Sequence, residues 1–185
     1  MDLDKVIRSR KSVREFSRKK PDWRAIVDSV NAARFAPAAG NNFEMKFIVL
    51  KNPDKINNVA KSCHQLFVAE AYYVIVAVSD PSRLINEFGE EAGQVYCRQQ
   101  AGAAIQNILL KAQELGLSTC WVGLFEEHEV KVELKIPDKM QVEAVIPIGY
   151  EMKKSKPKNK IPLENVIRFD DFKTKKINDT NKNES

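Results

Sequence analysis

The chain has 185 residues, of which 43% are hydrophobic and 30% charged, and carries a formal net charge of +5. That length suits one domain with a sizeable core and is short for two, and the composition is that of an ordinary globular protein. No apolar run approaches a membrane span. The opening MDLDKVIRSR is charged too early for a secretory signal, so the expected location is the cytoplasm.

The residue inventory speaks against several chemistries. Cys63, Cys97 and Cys120 form an odd set without CxxC spacing, which argues against structural disulfides and zinc. His64 and His128 have no second ligand at helical spacing, so no metal is expected. Neither a G-x-S-x-G elbow nor a P-loop is present to support nucleophilic hydrolysis or nucleoside triphosphate chemistry. Charge is unevenly spread. Residues 1–20 hold eight Lys/Arg against three Asp/Glu, residues 151–185 hold ten against six, and the body between them holds twelve against sixteen. Two basic ends on an acidic body fit a nucleic-acid binder. They fit equally well two arms converging on one small phosphate, and charge alone leaves both open.

In chain order, Leu3–Arg10 reads as a short helix, followed by the basic loop Arg10-Lys11-Ser12-Val13-Arg14-Glu15-Phe16. Such a loop can hold a phosphate, because a guanidinium offers two parallel donors and a hydroxyl adds another. It can also be a plain solvated loop. Asp22–Phe35 is an amphipathic helix ending in the small-residue loop Ala36–Asn42, where a ligand can approach backbone closely. Met45–Leu50 is a strand, and Pro53–Cys63 a helix with proline in its first turn. Tyr72–Val78 is nearly continuously apolar, hence a central strand buried on both faces. Pro81–Phe88 reads as a short surface helix.

The organising block is Gln100–Phe125. Its helix starts as early as Glu91 and is apolar at Ala101, Ala104, Ile105, Ile108, Leu109 and Ala112. Ala103 and Leu110 widen that stripe, so the helix is expected to be covered on most of its circumference. Gly116 supplies a left-handed stop with Leu117 packing back on it, and Ser118–Leu124 follows as a strand. Gln106 and Asn107 interrupt the apolar face and are expected to tie helix to helix or subunit to subunit. Trp121 and Phe125 read as core residues first and pocket wall second. Glu126–Lys135 is a charged helix and Met140–Ile148 the last core strand. Glu151–Lys160 is a lysine-rich linker, and Pro162–Phe169 is apolar enough to dock on something. One domain is expected over residues 1–170, with a basic and polar tail over 171–185 that looks disordered. Four strands among about six helices, without strict βαβα alternation, predict an α+β sandwich rather than a doubly wound sheet.

Five motifs in this order resemble the nitroreductase family, over about Val6 to Phe169. They are an opening Arg-x-Ser-x-Arg-x-Phe, the Ala-Pro-x-x-x-Asn loop, the Gln-Asn-x-Leu-Leu-x-Ala-x-x-Leu-Gly-Leu helix with its Trp-x-Gly strand, Pro-Ile-Gly-Tyr, and the basic Lys-x-Lys-x-Pro-Leu-Glu segment. The resemblance implies a mainly antiparallel sheet flanked by helices, an intertwined homodimer, FMN as cofactor and NADH or NADPH as hydride donor. It implies that Arg10, Lys11 and Ser12 hold the FMN phosphate and ribityl chain, with Lys158 and Lys160 closing on the phosphate. Arg14 and Asn41 would face the pyrimidine edge of the flavin, with Pro37 and Ala38 in the turn before Asn41. Gly123 and Leu124 would pass near its N5 side.

No side-chain acid or base is required for hydride transfer, so flavin N5 carries the chemistry and Arg14 tunes it. The acceptor would be a nitroaromatic, a quinone or a free flavin, with no nucleic acid and no membrane as partner. Two departures stand out: Phe43-Glu44-Met45 replaces the family's Gln-Pro-Trp, and Lys160 replaces an arginine. Alternative tasks on the same fold are dehalogenation, flavin modification and sensing, though no insertion long enough for the usual lid of such relatives is seen. A basic nucleic-acid module is the more distant rival and lacks a recognition motif.

Overall fold

Tyr73–Ser79 is the strand that both faces of the molecule share. The computed structural model, which describes residues 2–175, buries all seven of its residues. With Met45–Leu50 as β1, Tyr73–Ser79 as β2, Ser118–Thr119 as β3 and Gln141–Gly149 as β4, the sheet order is β1-β2-β4-β3 with every pair antiparallel. Side chains alternate across β2 as strand geometry requires. Tyr73, Ile75 and Ala77 enter one core, and Val74, Val76 and Val78 the other.

The first core lies under α2 (Trp23–Ala33) and α5 (Glu90–Glu114), and the second under α3 (Pro53–Ser62) and α6 (Glu127–Leu134). The helices α1 (Leu3–Ser9) and α4 (Ser82–Phe88) complete the set. The α+β sandwich expected from the sequence is therefore present. Asp22 and Asn52 cap α2 and α3 by accepting from the Arg24 and Lys55 backbone N–H groups at 2.9 and 3.1 Å.

The spine helix α5 buries Cys97, Gln100, Ala101, Ala104, Ile105, Ile108, Leu109 and Ala112. It stops as predicted. Gly116 has φ 76, its N–H donates to Gln113, and the Leu117 N–H donates back to Ala112 at 2.8 Å. Its cover is less complete than expected, because Val95 and Tyr96 are exposed on the first half of the helix. Asn107 does tie helix to helix, donating from Nδ2 to the Ala32 carbonyl at 3.2 Å.

The expected strand Ser118–Leu124 is cut to two residues, with one further bridge between Val122 and Val145. Register is kept across the gap, where Cys120 lies opposite Pro147. Proline has no N–H, so that pair keeps only the Cys120 N–H to Pro147 carbonyl bond, at 3.3 Å. Of the expected tail, residues 176–185 lie outside the described residues.

Candidate functional site

The basic loop after α1 is an extended strip sewn to the sheet. Val13 N–H donates to the Thr119 carbonyl at 2.9 Å, Ser17 N–H to Tyr150 at 2.8 Å, and Met152 N–H to Glu15 at 2.9 Å. Ser12 bridges Thr119 in parallel and Phe16 bridges Glu151 antiparallel. Val13 and Phe16 are buried, and the Phe16 N–H also reaches Glu70 Oε2 at 3.2 Å. With Val13 turned inward, its neighbours Ser12 and Arg14 turn out.

Arg10, Ser12 and Arg14 gather around Cys120 at the end of β3. Burial pushes the Cys120 thiol up, while the Arg14 charge, the Ser12 hydroxyl and the Arg10 charge each pull it down. Arg14 also lies over the Phe67 ring, 5.9 Å from its centroid. Neither Arg10 nor Arg14 has a carboxylate partner among the described residues, in contrast to Arg8, Arg24 and Arg83. Two unpaired guanidinium groups and a hydroxyl make a cluster rich in donors, suited to an anion.

Lys11 is committed differently. Its ammonium sits 2.7 Å from Glu151, with only 15% and 21% of the two side chains exposed, and it also donates to the Ser155 carbonyl. Glu151 Oε2 is buried with no other partner. Lys11 therefore fastens the start of the C-terminal segment to the basic strip. Lys158 and Lys160, further along that segment, are exposed and unpaired among the described residues. The apolar side chains Ile161, Leu163 and Val166 are also exposed, so Pro162–Phe169 does not dock on its own chain.

The second half of the predicted site is the loop after α2. Ala39–Asn41 forms a single 3-10 turn in which Gly40 (φ 56) and Asn41 (φ 58) are both left-handed. Asn41 is exposed, and Pro37 and Ala38 line a groove of about 290 Å³ with Tyr96, Gln99 and Ala103 of α5. The end of the loop is held by two side chains that sequence reasoning missed. Gln100, 3% exposed, donates from Nε2 to the Asn42 carbonyl at 2.7 Å and accepts from the Glu44 N–H at 2.8 Å. Glu87 of α4 accepts from Asn42 Nδ2 at 2.6 Å. Phe43 packs on the core, Glu44 pairs with Arg83 at 3.7 Å, and Met45 is buried at the start of β1. The atypical Phe43-Glu44-Met45 is thus built into the scaffold.

The third part follows the break in β3. Past Cys120 the in-out alternation continues: Val122 is buried and exchanges both backbone hydrogen bonds with Val145, while Trp121, Gly123 and Leu124 are exposed, Leu124 by 72%. Trp121 is therefore exposed rather than core, a reversal that follows from its place between the inward-facing Cys120 and Val122. A Cβ placed on Gly123 would meet only Trp121 Nε1, at 3.8 Å, so this backbone is open to a flat group. The chain itself joins the 10–14 strip to β3, but no side-chain hydrogen bond or ion pair among the described residues links either to the 37–42 loop. A cavity of about 730 Å³ between α3 and residues 66–72 contains none of the predicted site residues.

Several known proteins are similar to this chain. The sequence model of the nitroreductase family matches residues 7–72 and 63–150. A protein of Archaeoglobus fulgidus, provisionally named NADH dehydrogenase/NAD(P)H nitroreductase, is 28% identical over 79% of this chain and 83% of its own. The solved structure of an FMN-dependent nitroreductase from Clostridium difficile superposes with a TM-score of 0.78 at 25% identity, covering 90% of this chain and 98% of that one. The iodotyrosine deiodinase of Thermotoga neapolitana is 22% identical over 90% of this chain and 97% of its own. The chain belongs to the nitroreductase family, and with it to the oxidoreductases.

Proposed function

We propose that the protein is an FMN-dependent oxidoreductase that passes a hydride from NADH or NADPH to a small acceptor such as a nitroaromatic, a quinone or a flavin. The observation that carries this is the convergence of Arg10, Ser12 and Arg14 on the edge of β3, with neither guanidinium paired to a carboxylate among the described residues. Such a donor set fits a phosphate and the electron-rich edge of a ring. When bound, FMN supplies the redox chemistry, taking a hydride at N5 and passing two electrons on.

The chain's own residues bind and orient. Arg10 and Ser12 hold the phosphate end, and Lys158 and Lys160 close on it. Arg14 and Asn41 address the pyrimidine edge, where Arg14 stabilises negative charge gained on reduction. Pro37 and Ala38 form the turn beside that edge, and the open backbone at Gly123 and Leu124 leaves room on the N5 side. Donor and acceptor use the same space in turn, in a ping-pong cycle.

A homodimer belongs to this reading. It is supported by the exposed Ile161, Leu163 and Val166 and by the lack of side-chain links between the 10–14 strip and the 37–42 loop within one chain. No helix among the described residues is long and apolar enough to cross a membrane, and the cytoplasm is the compartment proposed. A dehalogenase role is the second reading, favoured by the likeness to the deiodinase. Against it, the sequence shows no insertion long enough for the added lid of such relatives.

The test is the colour of the purified protein. Yellow protein that bleaches with NADH or NADPH under nitrogen and sediments at about twice the chain mass is the expected result. Colourless protein that binds oligonucleotides would overturn the reading.

A further inference from the structure

We propose that Gln100 is the positioning residue for Asn41, holding the ring-side loop of the site in place from the middle of α5. The inference rests on the FMN reading above. Left-handed backbone costs glycine nothing and asparagine less than other residues, but a run of two still needs holding, and Asn41 at φ 58 follows Gly40 at φ 56. Such a conformation persists only where its surroundings over-determine it. Here the determinants are few. Among the described residues, the side-chain hydrogen bonds that reach residues 37–42 are those from Gln100 and Glu87.

The two grips differ in kind. Gln100 is buried and spans the end of the loop, donating to the Asn42 carbonyl and accepting from the Glu44 N–H. Only a group that is donor and acceptor at once can do both. Glu87 is exposed and holds the Asn42 side chain from the other side, its Oε1 lying 2.8 Å from where a Cβ on Gly40 would stand. Gln100 borders the groove of Pro37 and Ala38 but spends its side-chain hydrogen bonds on the loop, so its effect on the flavin passes through Asn42 to Asn41.

Gln100→Glu tests this, because a carboxyl can replace the amide only while protonated. The charged and titratable groups around the position are Glu44 with its partner Arg83, Glu87, and the Cys97 thiol one turn earlier on α5. Burial and two carboxylates against one guanidinium raise the pKa of the introduced acid. Below that pKa both hydrogen bonds are made. Above it, a carboxylate oxygen faces the Asn42 carbonyl and the loop is released.

The expected result is flavin affinity close to wild type at pH 5.5 and about tenfold weaker at pH 8. It is to be read as the variant to wild-type ratio at each pH, with FMN and with riboflavin, and the two flavins should fall together because the phosphate is not involved. A ratio of one at both pH values, or an equal loss at both, overturns the proposal. Gln100→Met, which keeps the bulk and removes both hydrogen bonds at every pH, decides the matter if the first variant does not fold. Weakening of both flavins by about two- to fivefold supports it, and unchanged affinity refutes it. Wild-type protein that binds no FMN would instead refute the cofactor reading itself.

Discussion

Residues 10–20 hold six Lys/Arg and residues 151–160 hold five, yet the fold treats these two basic stretches in opposite ways. The first is stitched to Thr119, Tyr150 and Met152 by backbone hydrogen bonds and anchored by Val13 and Phe16 in the core. The second is exposed from Met152 to Lys160 and meets the body at its start, through the Glu151 and Met152 backbone and the Lys11 side chain. On the proposed reading, Arg10, Ser12 and Arg14 therefore stand ready before any ligand arrives. If Lys158 and Lys160 close on the phosphate as proposed, they are ordered in doing so, at a cost of about 0.5–1.5 kcal/mol for each immobilised side chain. Similar charge density does not mean similar preorganisation.

The contrast is broken most directly by removing an anchor from each side. Phe16, 1% exposed, should cost about 3–5 kcal/mol on Phe16→Ala in urea unfolding. Phe172, 87% exposed, should cost less than about 0.5 kcal/mol on the same change. Comparable losses would mean that the C-terminal segment is packed as firmly as the basic strip.

Next in size, Arg10→Ala should weaken FMN by roughly ten- to a hundredfold, the loss of a charge-assisted hydrogen bond of about 1.5–3 kcal/mol. Riboflavin should hardly notice. Equal losses for both flavins would assign Arg10 to the fold rather than to the phosphate.

Lys11→Met isolates the side-chain post between the two regions. It strands the buried Glu151 Oε2 and should cost about 1–3 kcal/mol. Adding Glu151→Gln should return much of that, because the stranded charge is gone. No recovery in the double variant would show that the ion pair is not what joins the segment to the strip.

The smallest effect is electrostatic tuning. Arg14→Met removes a charge whose screened interaction with the reduced flavin is roughly 1–2 kcal/mol, or about 20–45 mV for a two-electron couple. The midpoint should fall by that amount in a spectroelectrochemical titration while FMN stays bound. An unchanged midpoint would place Arg14 away from the ring.

Much of this was legible because it is local. The run Tyr72–Val78 announces a strand buried on both faces, and Gly116-Leu117 announces the helix stop that the structure shows. Family motifs extend that to the residues of the basic strip and the small-residue loop. What stayed hidden depends on pairs distant in sequence. The break in β3 is caused by Pro147, which sits on another strand, so the stretch Ser118–Leu124 carries no sign of it. Gln100 resembles any polar residue at the edge of an apolar helix until Asn42 and Glu44 are brought against it. Lys11 carries the same charge as Arg10, and only the fold reveals that Glu151 has claimed it.

The strip over residues 12–17 has one more effect, on how the sheet meets other chains. An unpaired outer strand invites further strands to add to it, and with them aggregation. Here the β3 side is already capped by the protein's own N-terminal residues. Within the described residues β1 pairs on one side only, leaving its far side uncapped, with Lys46 and Lys51 near its two ends. Growth of the sheet by strand addition is thereby confined to a single, charge-guarded side.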